Sequence, residues 1–278
     1  MNQPKTHIEL FSSGYCTANS RIVFPDEPAK ELKFHAVWAL ITHPLLGYII
    51  FDTGYSSGFF KATRYFPNRF YRWATPVNHK VTNSCTAQLA KRNITPSQVK
   101  NLIISHFHAD HIGGLKDFPV ANIWCNKSGL AYALSRKRMT GFIKGVLRDL
   151  IPENILSQST YPEDQFESVD FYSLHGWKWT EDMYFIHLPG HFRGQTGLYL
   201  KNTNLGEVLL CADAAWSIRA IEHKIYPSRI VSLFIDNYGA LKETIDKLNL
   251  MYKNNPELRL IPCHCATIEP LIQNRHEI

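Results

Sequence analysis

The chain has 278 residues, of which 45% are hydrophobic and 19% are charged, and its formal net charge is +6. This balance supports an extensive apolar core and excludes a disordered protein. The surplus of cations is small and forms no long run, so a nucleic-acid partner is not expected. The length suits one large α/β domain, and we expect a single domain over residues 1–278.

The cysteines and the apolar stretches indicate the compartment. Six cysteines are scattered without a CxxC pair, which favours the reduced thiols of a cytoplasmic protein over a disulfide framework. Residues 1–7 lack a basic segment followed by an apolar one, so no secretory signal is expected. The longest apolar stretch, residues 36–51, is broken at residues 42–44 and is too short to span a bilayer, so no membrane insertion is expected.

The first predicted elements are strands. Residues 8–11 form one strand that Ser12-Ser13-Gly14 turns, and residues 35–41 and 48–51 form two more. The third strand runs directly into Asp52-Thr53-Gly54. An aspartate in such a turn commonly hydrogen-bonds its own backbone.

Residues 55–80 combine aromatic side chains with cations. They include Phe59, Phe60, Tyr65, Phe66, Phe70, Tyr71 and Trp73, interleaved with Lys61, Arg64, Arg69 and Arg72. Such a segment can cover an active site, touch a membrane surface or bind single-stranded nucleic acid. It can equally be an ordinary helix and loop whose aromatic side chains pack inward.

A helix is predicted over residues 84–92, and a strand over 101–105 then ends in a cluster of polar side chains. Three histidines and one aspartate lie within six residues: His106, His108, Asp110 and His111. In an extended strand end, His106 and His108 point to the same side and can share one ion, while the other two can face a second position. Imidazole and carboxylate ligands suit Zn²⁺, Fe or Mn.

The pattern His106-x-His108-x-Asp110-His111 resembles the hallmark of the metallo-β-lactamase superfamily. The resemblance implies an αββα four-layer sandwich with a two-metal site between its sheets. It also implies that Asp52 lies beneath this site and orients a ligand or a nearby backbone group. The segment 55–80 then becomes a candidate lid over the metal cleft.

After a strand at 121–125 and helices within 127–151, three more ligands follow in the order that the resemblance requires. A strand at 183–188 leads to His191, which would complete the first metal. The hairpin 197–211 ends at Asp213, and a buried aspartate is costly unless a metal pair matches its charge. His264, in a strand at 259–265, would complete the second metal with Asp110, His111 and the bridging Asp213.

Other predictions concern packing and the substrate. We expect a strand over 171–174, a long helix over 228–253, and packing roles for Cys263 and Cys265 on either side of His264. The side chains expected to contact the substrate are Trp216, Phe59, Phe66 and Arg193.

Two divalent ions, Zn²⁺ or else Fe or Mn, imply hydrolysis in which a bridging hydroxide attacks a carbonyl carbon. Asp110 would carry a proton to the leaving alkoxide or thiolate. Asp52-Thr53-Gly54 and residues 213–215 most resemble the N-acyl-homoserine lactonase branch, which opens lactone rings. That branch usually has a tyrosine three residues after the bridging aspartate, whereas this chain has Trp216, whose N–H can donate a hydrogen bond but cannot act as an acid.

Alternative functions remain open for a small-molecule substrate. A glyoxalase-II-like thioester hydrolase would need a cationic pocket near the C-terminus, for which only Lys253 and Arg275 are candidates. A phosphodiester hydrolase would be expected to carry a nucleic-acid arm. A non-catalytic sensor of the same fold would not need all seven ligands, and a mononuclear iron oxygenase would not need Asp110 and His111. The oligomeric state is not fixed by the sequence.

Overall fold

A computed structural model describes residues 5–277 of the chain, so residues 1–4 of the stretch considered for a secretory signal lie outside the described residues. The strands are β1 (His7–Asn19), β2 (Glu31–His43), β3 (Gly47–Phe51), β4 (Val77–Asn78), β5 (Val99–Ile103), β6 (Asn122–Trp124), β7 (Ser159–Thr160), β8 (Ser168–Phe171), β9 (Leu174–Lys178), β10 (Met183–His187), β11 (Thr196–Thr203), β12 (Gly206–Ala212) and β13 (Leu258–Pro262).

Short helices connect most of the strands. The α-helices are α1 (Ser57–Ala62), α2 (Arg69–Ala74), α3 (Cys85–Ala90), α4 (Ala109–Ile112), α5 (Lys127–Ser135), α6 (Arg138–Gly141), α7 (Ile155–Gln158), α8 (Pro162–Gln165), α9 (Ile218–Glu222) and α10 (Tyr238–Asn254). Short 3₁₀ turns and helices occur at Ser20–Ile22, Val81–Asn83, Pro96–Gln98, Leu115–Asp117, Phe142–Lys144, Arg148–Leu150, Arg229–Leu233, Ala266–Leu271 and Arg275–Glu277.

The strands pair into two mixed sheets. The first has the order β4-β1-β2-β3-β5-β6-β7, and the second has the order β13-β12-β11-β10-β9-β8. In the first sheet β5 runs parallel to β3 and β6, and in the second β12 runs parallel to β13. The strands β3 and β5 therefore end on the same side of the first sheet. The strands β12 and β13 likewise end on the same side of the second sheet.

Apolar side chains lie between the sheets and also on their outer faces. Ile41 and Phe51 of the first sheet contact the same core as Phe185 and Leu210 of the second. Helices α3 and α5 pack on the outer face of the first sheet, and α9 and α10 pack on the outer face of the second. Each fully buried large apolar side chain stabilises the fold by about 1.5–3 kcal/mol. The predicted αββα sandwich is confirmed.

Two short-range predictions were wrong because the backbone conformation differs from the one assumed. Ser12-Ser13-Gly14 does not end β1 but forms a bulge within it, where the Ser13 hydroxyl donates to Ala36 O at 3.2 Å. Residues 171–174 are not one strand, because Phe171 ends β8 and Leu174 begins β9. Between them, Tyr172 and Ser173 have positive φ angles of 52° and 64°. They form the two-residue turn of the β8–β9 hairpin.

The predicted helix over 228–253 was wrong in its first third. Residues Arg229–Leu233 form a 3₁₀ turn, and α10 begins only at Tyr238, where the Asn237 side chain accepts from Ala240 N at 3.0 Å. In the interruption, the backbone N–H groups of Asp236 and Asn237 donate to the carbonyls of His191 and Gly190. The helix is broken here because its backbone holds the loop that carries His191.

The structure also describes the state of the cysteines and the length of the helices. All six cysteines are buried and free, as expected. Within residues 5–277, no helix has the length and apolar character needed to cross a membrane.

Candidate active site

Seven metal-binding side chains meet beyond the ends of four strands. The chain leaves β5 for His106, His108, Asp110 and His111, leaves β10 for His191, leaves β12 for Asp213 and leaves β13 for His264. At the end of β12, Ala212 has a φ of 47°, a conformation that non-glycine residues seldom adopt. This turn directs Asp213 away from the path of the strand. Strained backbone conformations of this kind are typical of functional sites.

The first group of ligand atoms comes from three histidines and Asp213. His108 Nδ1 lies 3.0 Å from His106 Nε2 and 2.9 Å from His191 Nε2. His191 Nε2 in turn lies 3.2 Å from Asp213 Oδ2. All four side chains are candidate ligands of one ion.

The second group lies on the other side of Asp213. His264 Nε2 is 3.0 Å from Asp213 Oδ2, and His111 Nε2 is 3.3 Å from Asp213 Oδ1. Asp110 Oδ2 is 3.4 Å from His264 Nε2 and 3.6 Å from His111 Nε2. Asp213 is therefore the side chain that the two groups share.

The donor set fits two divalent ions. Ligands that surround one Zn²⁺ tetrahedrally at about 2.0–2.2 Å are separated from one another by roughly 3.3–3.6 Å. Within the two groups, the contacts given above fall between 2.9 and 3.6 Å. His111 Nε2 and Asp213 Oδ1 are buried without a hydrogen-bond partner among the described residues, as expected of atoms aimed at a cation.

Electrostatics prepares two histidines of the first group and the shared carboxylate for metal binding. Burial and the neighbouring imidazoles hold the pKa values of His106 and His108 well below the usual value, so both rings are neutral and can bind a metal. Burial alone would raise the pKa of Asp213. The imidazoles of His264, His111 and His191 outweigh it and hold that pKa well below the usual value.

Asp52 lies beneath the second group, next to His111. Its Oδ2 is 2.7 Å from His111 Nδ1, and its two oxygens accept from the backbone N–H and the hydroxyl of Ser105 at 2.8 and 2.7 Å. A carboxylate on Nδ1 fixes the tautomer that leaves Nε2 free for a metal. Ser105 was missed in the sequence, although a polar residue between a buried strand and the histidine motif is a usable signal.

Close backbone approaches fix the positions of other ligands. A Cβ added at Gly145 would lie 2.7 Å from His108 Cδ2, so only glycine leaves room for this imidazole. A Cβ at Gly113 would lie 2.5 Å from Gly54 O, where the loop after β3 crosses the metal-binding loop. His264 Nδ1 is 2.7 Å from the carbonyl oxygen of His35, which leaves its Nε2 toward Asp213.

Cys263 is close to the second group without the character of a ligand. Its Sγ lies within 4.8 Å of the donor atoms of His111, Asp213 and His264. Burial raises the pKa of its thiol well above the ordinary value, and an uncharged thiol is a poor metal ligand. The Sγ instead lies 3.3 Å from Val37 N and 3.4 Å from Val37 O. Because β13 ends at Pro262, Cys263 and Cys265 follow the strand rather than lie on it.

A cavity of about 740 Å³ reaches the two ligand groups, and most of its wall is aromatic or aliphatic. The wall comes from β1, from α2, and from the segments 142–145 and 230–235. Two phenols, the buried Tyr55 and the partly buried Tyr71, line the cavity together with Asp110. Burial raises the pKa values of both phenols well above the usual value, so they remain neutral donors.

The structure brings one of the four expected substrate contacts to this cavity. Trp216 lines it, donates its indole N–H to Asp213 Oδ2 at 3.3 Å, and presents its ring edge-on to His191. Phe59 does not line the cavity because it is fully buried among Tyr55 and other rings of the core.

Phe66 and Arg193 also lie outside the cavity wall. Phe66 packs on the outer side of Phe70 and Trp73, and Arg193 is exposed and paired with Asp236 at 3.1 Å. We do not retain Phe59, Phe66 or Arg193 as substrate contacts.

Other parts of the segment 55–80 do line the cavity, namely Phe70, Tyr71, Trp73, Ala74 and Thr75. The sequence could not separate these residues from their aromatic neighbours, because α2 has only six residues and no clear periodicity. Phe142, Ile143, Ile230 and Phe234 also line the wall and were missed, since nothing local in the sequence distinguishes them. Whether the segment moves as a lid stays a prediction.

The fold and the ligand groups define the family. The chain belongs to the metallo-beta-lactamase superfamily, whose model matches residues 35–217. Among curated proteins it is 27% identical over 193 residues to the N-acyl homoserine lactonase AttM of Agrobacterium fabrum, covering 69% of this chain and 70% of that protein. It is 28% identical to AttM of Rhizobium radiobacter, of which the matched region spans only about half, 53%.

A lactonase from another genus and two solved structures are also similar. AiiA of Bacillus thuringiensis subsp. kurstaki is 23% identical over 223 residues, covering 79% of this chain and 80% of that one. A crystal structure of a B. thuringiensis AiiA mutant with N-decanoyl-L-homoserine bound at its active site superimposes with a TM-score of 0.73, 18% identity and 96% coverage of both chains. AidC, a dizinc quorum-quenching lactonase, gives a TM-score of 0.63 with 14% identity, covering 96% of this chain and 90% of AidC.

Proposed function

We propose that the chain is a dinuclear metal-dependent hydrolase that opens the lactone ring of N-acyl-homoserine lactones. The observation that carries the proposal is the position of Asp213, whose carboxylate faces both ligand groups at 3.0–3.3 Å. A carboxylate shared in this way is what a bridging ligand requires. The lactonases among the relatives support the substrate class.

When bound, two divalent ions would supply a water of lowered pKa and polarise a substrate carbonyl. Asp110 reaches the cavity while its Oδ2 stays next to His264 and His111. We assign to it the proton transfer. It takes the proton that the attacking water gives up as its oxygen bonds to the carbonyl carbon. It delivers this proton to the ring oxygen as the bond from the carbonyl carbon to that oxygen breaks.

The apolar wall supports a substrate with an acyl chain. A cavity of about 740 Å³ has room for an acylated lactone, and the aromatic rings of Phe70 and Phe142 lie in its wall. Each methylene buried there contributes about 0.8 kcal/mol, so catalytic efficiency should rise several-fold with each step of chain length until the wall is covered.

Trp216 stands where the related branch usually has tyrosine. Its only N–H is directed at Asp213, so the indole positions the shared carboxylate instead of the substrate. The neutral phenols of Tyr55 and Tyr71 are further donors in the wall.

The thioester alternative has weaker support. Among the described residues that line the cavity, Lys144 is the one cation, and its Nζ donates to the backbone carbonyls of Leu233 and Ile235. It is thus engaged, whereas glutathione carboxylates would need free cations. Arg275, considered for that role, donates to Pro270 O outside the cavity. Six free, buried thiols favour a cytoplasmic location.

Metal analysis joined to a hydrolysis panel tests the proposal. Protein purified without chelators should hold close to two ions per chain. His191→Ala should deplete mainly the ion of the first group, and His111→Ala mainly that of the second. One ion in the wild type that His111→Ala leaves unchanged would overturn the dinuclear site.

The panel compares lactones of short and long acyl chains with thioesters and phosphodiesters. We expect the highest kcat/KM for long-chain lactones. A protein that carries two ions and turns over thioesters or phosphodiesters but no lactone would keep the hydrolase proposal and eliminate the lactonase.

A further inference from the structure

Exposed apolar side chains are concentrated in three short segments: 65–73, 139–143 and 230–234. Within residues 5–277, nine of the fifteen large apolar side chains that are well exposed belong to these segments. Their exposed fractions range from 48% to 68%. Scattered exposed apolar residues need no explanation, but a cluster in so few residues marks an interaction surface. We call these side chains the mouth patch.

The mouth patch surrounds the opening of the cavity. Phe70, Trp73, Ile143 and Phe234 are about half-exposed and at the same time line the cavity wall. The segments are also joined to one another. The Phe70 ring stacks on Phe142 with 6.3 Å between centroids, and Lys144 Nζ donates to Leu233 O at 2.8 Å. The exposed side chains thus form one rim around one opening.

The rim carries cations and few anions. Two of the three segments have cations in or beside them and no Asp or Glu: Arg64, Arg69 and Arg72 at residues 64–73, and Arg136, Lys137 and Arg138 at residues 136–143. Next to the mouth patch, the guanidinium groups of Arg64 and Arg69 lie over the rings of Tyr65 and Trp73, at 5.3 and 5.1 Å from their centroids. Cations beside exposed aromatic rings are typical of surfaces that lie in a membrane interface.

We propose that the mouth patch docks the protein on an anionic lipid bilayer, with the cavity opening toward the acyl chains. Phe66, Met139 and Leu233 would enter the interface, while Arg64, Arg69 and Lys137 would contact headgroup phosphates. An amphiphilic substrate dissolved in the bilayer would then reach the cavity without crossing bulk water. Docking does not depend on which bond the enzyme hydrolyses.

Two other partners fit the mouth patch less well. A second copy of this chain in a two-fold dimer would bring the same cationic segments against each other, which is unfavourable. Single-stranded nucleic acid would match the charge. However, Met139, Ile143, Ile230 and Leu233 are aliphatic and offer bases no ring to stack on, whereas acyl chains pack on them equally well.

Vesicle co-sedimentation of the intact, metal-loaded protein tests the proposal. The protein should bind vesicles made of equal parts of phosphatidylcholine and phosphatidylglycerol, and bind pure phosphatidylcholine far more weakly. The triple variant Arg64→Gln/Arg69→Gln/Lys137→Gln should lower partitioning on the order of 10²-fold, because each cation near an anionic surface contributes about a factor of five. The triple variant Phe66→Ser/Met139→Ser/Leu233→Ser should lower it on the order of 10-fold or more.

Matched controls separate docking through the mouth patch from nonspecific adsorption to vesicles. Leu45→Ser/Leu156→Ser/Leu250→Ser removes three apolar side chains that are 59–88% exposed, from the β2–β3 turn, α7 and α10. Lys100→Gln/Lys201→Gln/Lys253→Gln removes the same number of charges from outside the mouth patch. Both controls should bind vesicles as the wild type does. All six substituted positions of the two mouth variants lie outside the cavity wall, so hydrolysis of a soluble short-chain substrate should persist.

Three results would overturn the proposal. The first is no binding to anionic vesicles, and the second is an equal loss in the control variants. The third is a stronger response to another partner. A dimer in size-exclusion chromatography that the Phe66 triple variant dissociates, without vesicle binding, would assign the patch to self-association. Tighter binding of a single-stranded oligonucleotide than of anionic vesicles would assign it to nucleic acid. Because vesicle binding is measured without substrate, its failure is distinct from failure of the lactonase proposal.

Discussion

The cavity has a polar floor and an apolar mouth, and the two are built in different ways. The floor consists of the seven candidate ligand side chains, which follow strands bonded into the sheets. The mouth consists of α2, α6 and two 3₁₀ turns, each only three to six residues long. Strand ends hold a side chain in place because neighbouring strands fix the backbone, whereas short helices make a wall whose side chains can change without disturbing the fold. The floor should therefore determine the reaction, and the mouth should determine the substrate.

The largest effect should come from the carboxylate that both ligand groups share. Asp213→Ala should remove most of both ions and bring hydrolysis close to the uncatalysed rate, because Asp213 contacts His191, His111 and His264. Elemental analysis and circular dichroism would measure metal content and fold. The control Asp182→Ala removes a partly buried carboxylate paired with His43 and should keep both ions. A variant that retained either ion in full would show that Asp213 is not shared.

Asp110 lies at the edge of the floor, so its removal should separate metal binding from proton transfer. Asp110→Asn keeps an oxygen near His264 but cannot carry a proton. We expect most of the metal to remain and kcat to fall by about 10²-fold or more. Asp117→Asn, a change in the 3₁₀ turn just after the metal-binding loop, serves as the control. An unchanged kcat would remove Asp110 from the mechanism.

Asp52 supports the floor from below. In Asp52→Asn, an amide N–H facing His111 Nδ1 would favour the tautomer that places the proton on Nε2, where the metal should bind. Affinity for one of the two ions should fall by about 10- to 100-fold in a competition titration against a fluorescent chelator. Ser105→Ala leaves the Asp52–His111 contact in place and should cost less. Equal losses in the two variants would mean that the carboxylate does not set the tautomer.

A change in the mouth should act on the substrate alone. Phe70 lines the cavity, while its neighbour Phe66 packs behind it. Phe70→Ala should lower kcat/KM several-fold for long-chain lactones and leave short-chain lactones and metal content unchanged, because only long chains would reach this ring. Phe66→Ala, assayed on lactones in solution, is the matched control. Equal losses for short and long chains would contradict the division between floor and mouth.

Trp216 lies where floor and mouth meet, and its replacement should have the smallest effect. Trp216→Tyr restores the hydroxyl that the related branch places here, so lactone turnover should stay the same or rise a few-fold. Trp216→Phe removes the hydrogen bond to Asp213 and adds no donor toward the substrate, so it should lower turnover slightly. A rise in turnover with Phe as well as with Tyr would mean that the bulk of the indole, and not its missing hydroxyl, limits the reaction.

The sequence alone determined the floor. Ligands such as His106, His191 and Asp213 each follow an apolar strand, and a strand that ends in metal-binding side chains leaves few positions for them. The αββα sandwich followed from the same motifs through the family resemblance. These features depend on short stretches of sequence, because an apolar strand and the residue type at its end can both be recognised from neighbouring residues.

Only the tertiary structure decided the mouth. Phe59 and Phe70 are similar aromatic residues in one segment, yet one is buried in the core and the other faces the cavity. Ile143 and Phe234 reach the same opening from segments that are far apart in the chain. The break before α10 likewise exists because its backbone bonds to the His191 loop, 45 residues earlier. Such long-range contacts determine which side of a short helix is buried, and no local periodicity records them.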